Sequence, residues 1–230
     1  MAASVSPPGS FLSCLDSADR DSLLALGRLR HWEPGDVLVR RGDEVDSAVV
    51  LLAGTVKVHV LGPRGADVVL GFSAAGDLLG ERAAVGGTTR SATLTALDHV
   101  EALVIPVGTL RSYLRSHPGI TLALLERALD RLHDADRRRI EFATSGTLAR
   151  VAARLIELTA AFGVSRPDGA VEIALPINQE DLASWSAASR ESTARALHTL
   201  RTLGLIATGR RRLTVLDRAG LEAHVERQET

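Results

Sequence analysis

Cysteine is nearly absent from this chain: Cys14 stands alone among 230 residues. One thiol cannot build a disulfide framework, a zinc cluster or a multi-cysteine iron–sulfur site within the chain, and a reduced, cytoplasmic setting is expected. Lysine is equally scarce, with Lys57 its one occurrence, so the basic side chains are almost all arginine. An individual arginine therefore means little, and its place in a pattern counts. No stretch approaches the ~18 consecutive apolar residues of a membrane span. Met1–Ser10 also lacks the charged start and apolar run of a secretion signal, so a soluble chain with no membrane partner is expected. The histidines (His31, His59, His99, His117, His133, His198 and His224) are scattered, which argues against a haem or metal centre. No nucleophile, base and orienting acid fall into a catalytic pattern, so no enzyme activity and no catalytic residue are expected. The formal charge of −1 argues against a uniformly basic nucleic-acid binder, but charge per segment matters more than the total.

The chain is long enough for two modest domains, each with its own core. Residues Phe11–Leu29 read as helix. Between Trp32 and Pro106 the grammar changes to short β-rich runs: Val37–Arg40, Ala48–Leu52, Thr55–Leu61, Asp67–Phe72, Ser91–Ala96 and Val100–Pro106. Turns at Gly35, Gly42, Gly54, Gly65 and Gly76 separate them, a spacing that predicts a small antiparallel barrel or jelly roll. From Pro118 to residue 143 the pattern is helical, with Leu122, Leu125, Leu129 and Leu132 spaced as in a coiled-coil seam. Such a stripe needs cover, either its own barrel or a second copy of the chain. Asp136, Arg137, Arg138 and Arg139 then make the seam polar. A second helix, Thr147–Phe162, presents Val151, Ala152, Leu155, Ile156 and Leu158 to a second core.

Two segments carry chemistry. Leu79–Ala92 reads Leu-Gly-Glu-Arg-Ala-Ala-Val-Gly-Gly-Thr-Thr-Arg-Ser-Ala. Gly80 permits a tight turn, Glu81–Val85 can start a short helix whose amides face an anion, and Arg90 can return to neutralise it. Farther on, Pro167-Asp168-Gly169 signals a turn and Val171–Leu175 a strand. Asn178 caps a helix in a capping-box pattern with Asp181, turning Leu182 and Trp185 inward. Ala187-Ala188 makes a tight turn and Ser189 caps the helix Arg190–Leu203, whose buried side is expected to be Ala194, Leu197, Leu200 and Leu203. Arg190, Glu191 and Arg195 lie on another face, where arginine can present two donors to guanine and glutamate can accept from cytosine. Two short helices around a small-residue turn are a helix-turn-helix. Gly204–Ile206 and Gly209–Val215 follow as strand, basic turn and strand, a wing whose Arg210, Arg211 and Arg212 are placed to touch phosphates.

The Leu79–Ala92 segment closely resembles the phosphate-binding cassette of cyclic-nucleotide-binding domains. The order of barrel, long helix and winged reader resembles the family of the cAMP receptor protein and its FNR-like relatives from about Phe11 to Leu216. The resemblance implies an α+β fold with three parts: an antiparallel jelly-roll cyclic-nucleotide-binding domain (residues 11–117), a dimerisation helix (118–143) and a winged helix-turn-helix DNA-binding domain (144–230). It places Glu81 on the ribose hydroxyl, with Gly80 shaping the turn, and Arg90, Ser91 and the amides near Ala83 and Ala84 on the cyclic phosphate. Arg190, Glu191 and Arg195 match the family's base-reading residues, while Ser189 begins the recognition helix. The implied protein is a homodimeric, cytoplasmic regulator of transcription that binds palindromic double-stranded DNA with half-sites of TGTGA type. It would use a cyclic nucleotide, cAMP ahead of cGMP, and no metal, haem or iron–sulfur cluster. RNA polymerase is a further partner, since the Ser165–Ala170 loop falls where family members touch it.

Two departures qualify this. Arg82 stands where the family has an apolar residue, and it either swings to solvent, the favoured reading, or adds charge to the phosphate site. Ala135 and Asp136 stand where cAMP-responsive members hold the adenine amine. Asp136 would then accept two donors from a guanine edge, or pair with Arg139 or stay solvated on its own helix. Two other functions remain open: a ligand-independent repressor whose pocket is closed by a Glu81–Arg90 salt bridge, and a nucleotide-gated regulatory subunit that binds protein.

Overall fold

The computed structural model describes residues 9–62, 65–209 and 212–226. The chain forms two compact units, Met1–His133 and Asp134–Thr230.

The first unit is built on two four-stranded antiparallel sheets. One holds β1 (Arg28–Trp32), β8 (Val100–Pro106), β3 (Ser47–Ala53) and β6 (Leu78–Leu79), in that order, and the other β2 (Val37–Val39), β7 (Thr93–Ala96), β4 (Thr55–Leu61) and β5 (Asp67–Ala74). Successive side chains of a strand point to opposite faces, and β3 uses both. Val49 and Leu51 join Val56, Leu94, Ala96, Val100 and Ala102 in a core shared by the two sheets. Ala48 and Val50 face Phe11, Leu23, Leu110, Leu114, Ile120 and Leu124, which come from the helices covering the other face. Burial on both faces is why β3 reads as an unbroken apolar run. The five glycines expected at turns all have positive φ. At Gly54, φ 81°, a Cβ would lie 2.2 Å from the His99 carbonyl oxygen, so only glycine fits.

The expected Phe11–Leu29 helix is broken. A 3₁₀ turn, Phe11–Cys14, precedes α1 (Ser17–Leu24), which Asp16 caps by accepting from the Asp19 amide at 2.8 Å. Arg28 and Leu29 belong to β1 instead, paired antiparallel with β8. That edge strand is nearly all exposed and has no apolar alternation, so only its partner reveals it. β6, a buried pair of leucines, is too short to show any alternation. The barrel is followed by α2 (Val107–Ser116) and then α3 (Pro118–Thr144), 27 residues long. Ile120, Ala123 and Leu124 are the buried positions of α3, while Leu122, Leu125, Leu129 and Leu132 stay 53–60% exposed. The leucine stripe is not the face that packs on the barrel.

In the second unit, α4 (Thr147–Phe162) has the expected bounds and buries Val151, Ala152, Leu155 and Leu158. A sheet ordered β11 (Ile206–Gly209), β12 (Arg212–Val215), β10 (Val171–Ile173), β9 (Gly163–Ser165) lies with α5 (Gln179–Trp185), α6 (Arg190–Thr202) and α7 (Arg218–Glu226). Helix, turn and helix followed by a β11–β12 hairpin make a winged helix-turn-helix. The buried stripe of α6 is Thr193, Ala196, Leu197 and Leu200. Leu197 and Leu200 are buried as expected, whereas Ala194 and Leu203 are exposed, because positions spaced by threes drift around a helix of about 3.6 residues per turn and only the middle two stay on the inward face. Among the described residues no helix is long and apolar enough to cross a membrane.

Candidate functional site

β6 delivers the chain to Gly80, whose φ of 82° starts a 3₁₀ turn over Glu81–Ala83. The Ala84 amide donates to the Glu81 carbonyl at 2.9 Å and the Gly87 amide to the Arg82 carbonyl at 2.7 Å. These bonds fold the segment over the end of the sheet. Arg90 returns underneath, anchored by its own amide on the Asp43 carbonyl at 2.9 Å. Its guanidinium is buried, at 7% exposure for the residue. Nη2 donates to Asp46 Oδ1 at 3.2 Å and to Ser47 Oγ at 3.1 Å. The Ser47 hydroxyl, itself 2.8 Å from Asp46 Oδ1, and Arg90 hold the Asp46 carboxyl below its usual range.

Nη1 of Arg90 has no partner among the described residues. It lies against Gly80, where a Cβ would approach it to 2.6 Å. A buried cationic donor left unmatched is costly, and this one sits beside the Gly80 turn.

Glu81 does not pair with Arg90. Arg131 of α3 donates from Nη1 to Glu81 Oε1 at 2.6 Å and from Nη2 to the Leu78 carbonyl at 3.1 Å. Arg127, one turn earlier on α3, approaches Asp77 at 3.6 Å. The salt bridge imagined between Glu81 and Arg90 is thus replaced by two separate pairs, Glu81 with Arg131 and Arg90 with Asp46. Arg82 is exposed, as favoured. Ser91 is exposed as well, and Ala84 is buried, its carbonyl accepting from Arg111 Nε at 3.1 Å. Asp136 belongs to the second unit, is exposed, and forms no ion pair with Arg139. Arg131, Asp46 and Ser47 were not legible as site residues, since no local motif contains them.

In the reader, Asn178 and Asp181 complete a reciprocal capping box. Ala187 takes φ 49° in the turn, and Ser189 caps α6 by accepting from the Ser192 amide at 3.1 Å. Arg190, Glu191 and Arg195 are all exposed on α6. Glu191 and Arg195, one turn apart, pair with each other, and Arg195 Nη2 also donates to Ser192 Oγ at 3.0 Å. Arg201 reaches from α6 to Thr208 Oγ1 on β11 at 3.1 Å, tying the helix to the wing. A cavity of about 220 Å³ opens between Asn178, Gln179, Leu197, Thr208, Arg212 and Leu213. Arg212 is exposed, 3.7 Å from Glu172, while Arg210 and Arg211 lie outside the described residues. Among the described residues no group of three histidine, cysteine or acidic side chains is placed to hold a metal ion.

Residues 29–117 match the model of the cyclic nucleotide-binding domain, and residues 149–224 that of the Crp-like helix-turn-helix domain. The chain is 26% identical to the CRP-like cAMP-activated global transcriptional regulator of Mycobacterium tuberculosis over 71% of its own length and 72% of that protein's. It is 27% identical to the anaerobic regulatory protein of Bacillus subtilis over 84% and 82% of the two lengths. The c-di-GMP responsive global regulator CLP of Xanthomonas campestris shares the fold with a TM-score of 0.75, at 22% identity, over 87% of this chain and 99% of that one.

Proposed function

The chain belongs to the CRP/FNR family of DNA-binding transcription regulators, and from that premise we propose that it is a homodimer whose DNA binding is switched by a cyclic nucleotide. It is a regulator, not an enzyme. The observation that carries the ligand is Arg90 Nη1, buried and unpartnered beside Gly80. A cyclic phosphate supplies the acceptor that this donor lacks, with the amide near Ala83 and the Ser91 hydroxyl completing the cradle; the Ala84 amide, expected there too, already donates to the Glu81 carbonyl. Glu81 takes the ribose hydroxyl. Since Arg131 holds Glu81, a ribose arriving there competes for the same carboxylate and so reports its presence to α3. Ligand then shifts the population toward one placement of the two readers. Arg190, Glu191 and Arg195 read bases, and Arg210, Arg211 and Arg212 touch backbone phosphates. RNA polymerase is a further partner through the loop at residues 165–170, and the protein acts in the cytoplasm, where its DNA lies.

Support for cAMP ahead of cGMP comes from the family resemblance and from the likeness to the cAMP-activated regulator of Mycobacterium. Titration calorimetry with cAMP, cGMP and a cyclic dinucleotide tests the reading: binding of a cyclic mononucleotide that disappears in Arg90→Leu upholds it, and silence across the panel removes the switch. One observation favours a second reading, a ligand-independent repressor: Asp46 already neutralises Arg90, and Arg131 already neutralises Glu81. For that repressor, a gel shift on palindromic DNA would be the same with and without nucleotide.

A further inference from the structure

Between Asp134 and Arg139 every charge but two is paired within the chain. Arg137 meets Asp134 at 3.1 Å and Glu157 at 2.9 Å, and Arg138 meets Glu157 at 3.2 Å. Asp136 and Arg139 are exposed and have no hydrogen bond or ion pair from their side chains among the described residues. These two also continue the phase of the leucine stripe. Leu122, Leu125, Leu129 and Leu132 advance by alternate steps of three and four, the next step of four is Asp136, and the next of three is Arg139. One helix, Pro118–Thr144, carries all six, and heptad spacing keeps such positions on one face.

Given the homodimer proposed above, we propose that Asp136 of each copy pairs with Arg139 of the other across the helix seam. The proposal rests on the homodimer reading above and deepens it. Leucines alone fix neither direction nor register, because any leucine packs against any other. An acid followed three residues later by an arginine is self-complementary across a two-fold axis, since the longer arginine reaches one layer along to the opposite carboxylate. An antiparallel pairing centred on the stripe, or a slip by one heptad, would set Asp136 or Arg139 against leucine and strand a desolvated charge. The pair therefore selects one register, the role best attested for polar residues in a helical seam.

Sedimentation of the full-length chain tests this. The parent is expected to be a dimer. Asp136→Arg or Arg139→Asp brings like charges together across the seam and should weaken self-association about tenfold or more. The two single variants, mixed, should prefer each other, and the chain carrying both exchanges should regain parental affinity. Both residues are exposed, so circular dichroism should show the fold kept in every variant. Single variants that self-associate as tightly as a dimeric parent, or show no preference on mixing, overturn the ion pair while leaving the dimer. A monomeric parent overturns the dimer and the pair together. An Asp136→Arg chain that dimerises normally but loses nucleotide binding gives Asp136 to the ligand instead.

Discussion

Gly80 and Arg90 define the proposed ligand site as a pair. With φ at 82° and only 2.6 Å between a would-be Cβ and Arg90 Nη1, Gly80→Ala imposes a left-handed conformation and pushes on the guanidinium. Calorimetry should find nucleotide affinity reduced at least about tenfold, with a stability loss of roughly 1 kcal/mol from the backbone; parental affinity would mean that the anion does not sit between these groups. Arg90→Leu removes a charge-assisted bond worth about 1.5–3 kcal/mol, hence roughly ten- to a hundredfold in affinity. Asp46 is different, because it is mostly exposed and competes with the ligand for Arg90. Asp46→Asn should strengthen nucleotide binding if competition dominates, and weaker binding would show that the carboxylate chiefly orients the arginine. The Gly80–Glu81 and Arg90–Ser91 steps were readable because a phosphate cradle needs these residue types in a short segment. The partners Asp46 and Arg131 were not, because nothing local marks which carboxylate or arginine will be brought there.

At the scale of elements, the junction of α3 and α4 is held by charge. Arg154, 2% exposed, pairs with Glu141 of α3 and with Glu157 at 3.0 Å, and stacks over Trp185 of α5 at 5.5 Å. Burial raises the Glu141 carboxyl above its ordinary range despite Arg154. Arg154→Met leaves two largely buried carboxylates facing each other and should cost about 3 kcal/mol in denaturant unfolding, with Arg137 and Arg138 limiting the loss. A carboxyl with a raised folded-state pKa binds its proton more tightly when folded. Stability therefore rises as pH falls from that raised value toward the unfolded glutamate value. Arg154 draws the Glu141 carboxyl down, so in Arg154→Met the carboxyl rises further, and the defect should narrow as pH falls from that higher value to the parental one. A defect independent of pH would assign the cost to packing alone. On α6, Arg190→Ala should cost about 1–3 kcal/mol at one base position and relax specificity there; an equal loss on every sequence would make Arg190 a phosphate contact. The bounds of α4 and the caps of α5 and α6 were legible because periodicity and capping are local. The extent of the inward face of α6 was not, since it depends on where α4 lies.

For the whole molecule, the paired readers of the proposed dimer would meet successive major grooves about 34 Å apart, so the operator should be a palindrome with half-sites one helical turn apart. Gel shifts on DNA with that spacing lengthened by half a turn should lose nearly all specific binding, and tolerance of the change would mean that single readers act alone. Composition, the glycine-marked strands, the cassette and the reader's caps were determined by the sequence itself, because each depends on contacts only a few residues apart or on a repeat that local geometry enforces. Tertiary structure alone decided that an exposed arginine-rich segment becomes β1, that Arg131 crosses 50 positions to Glu81, and that Asp46 meets Arg90 across 44. Edge-strand pairing and long-range ion pairs are made by the neighbour that folding supplies, and a side chain carries no mark of which neighbour that will be.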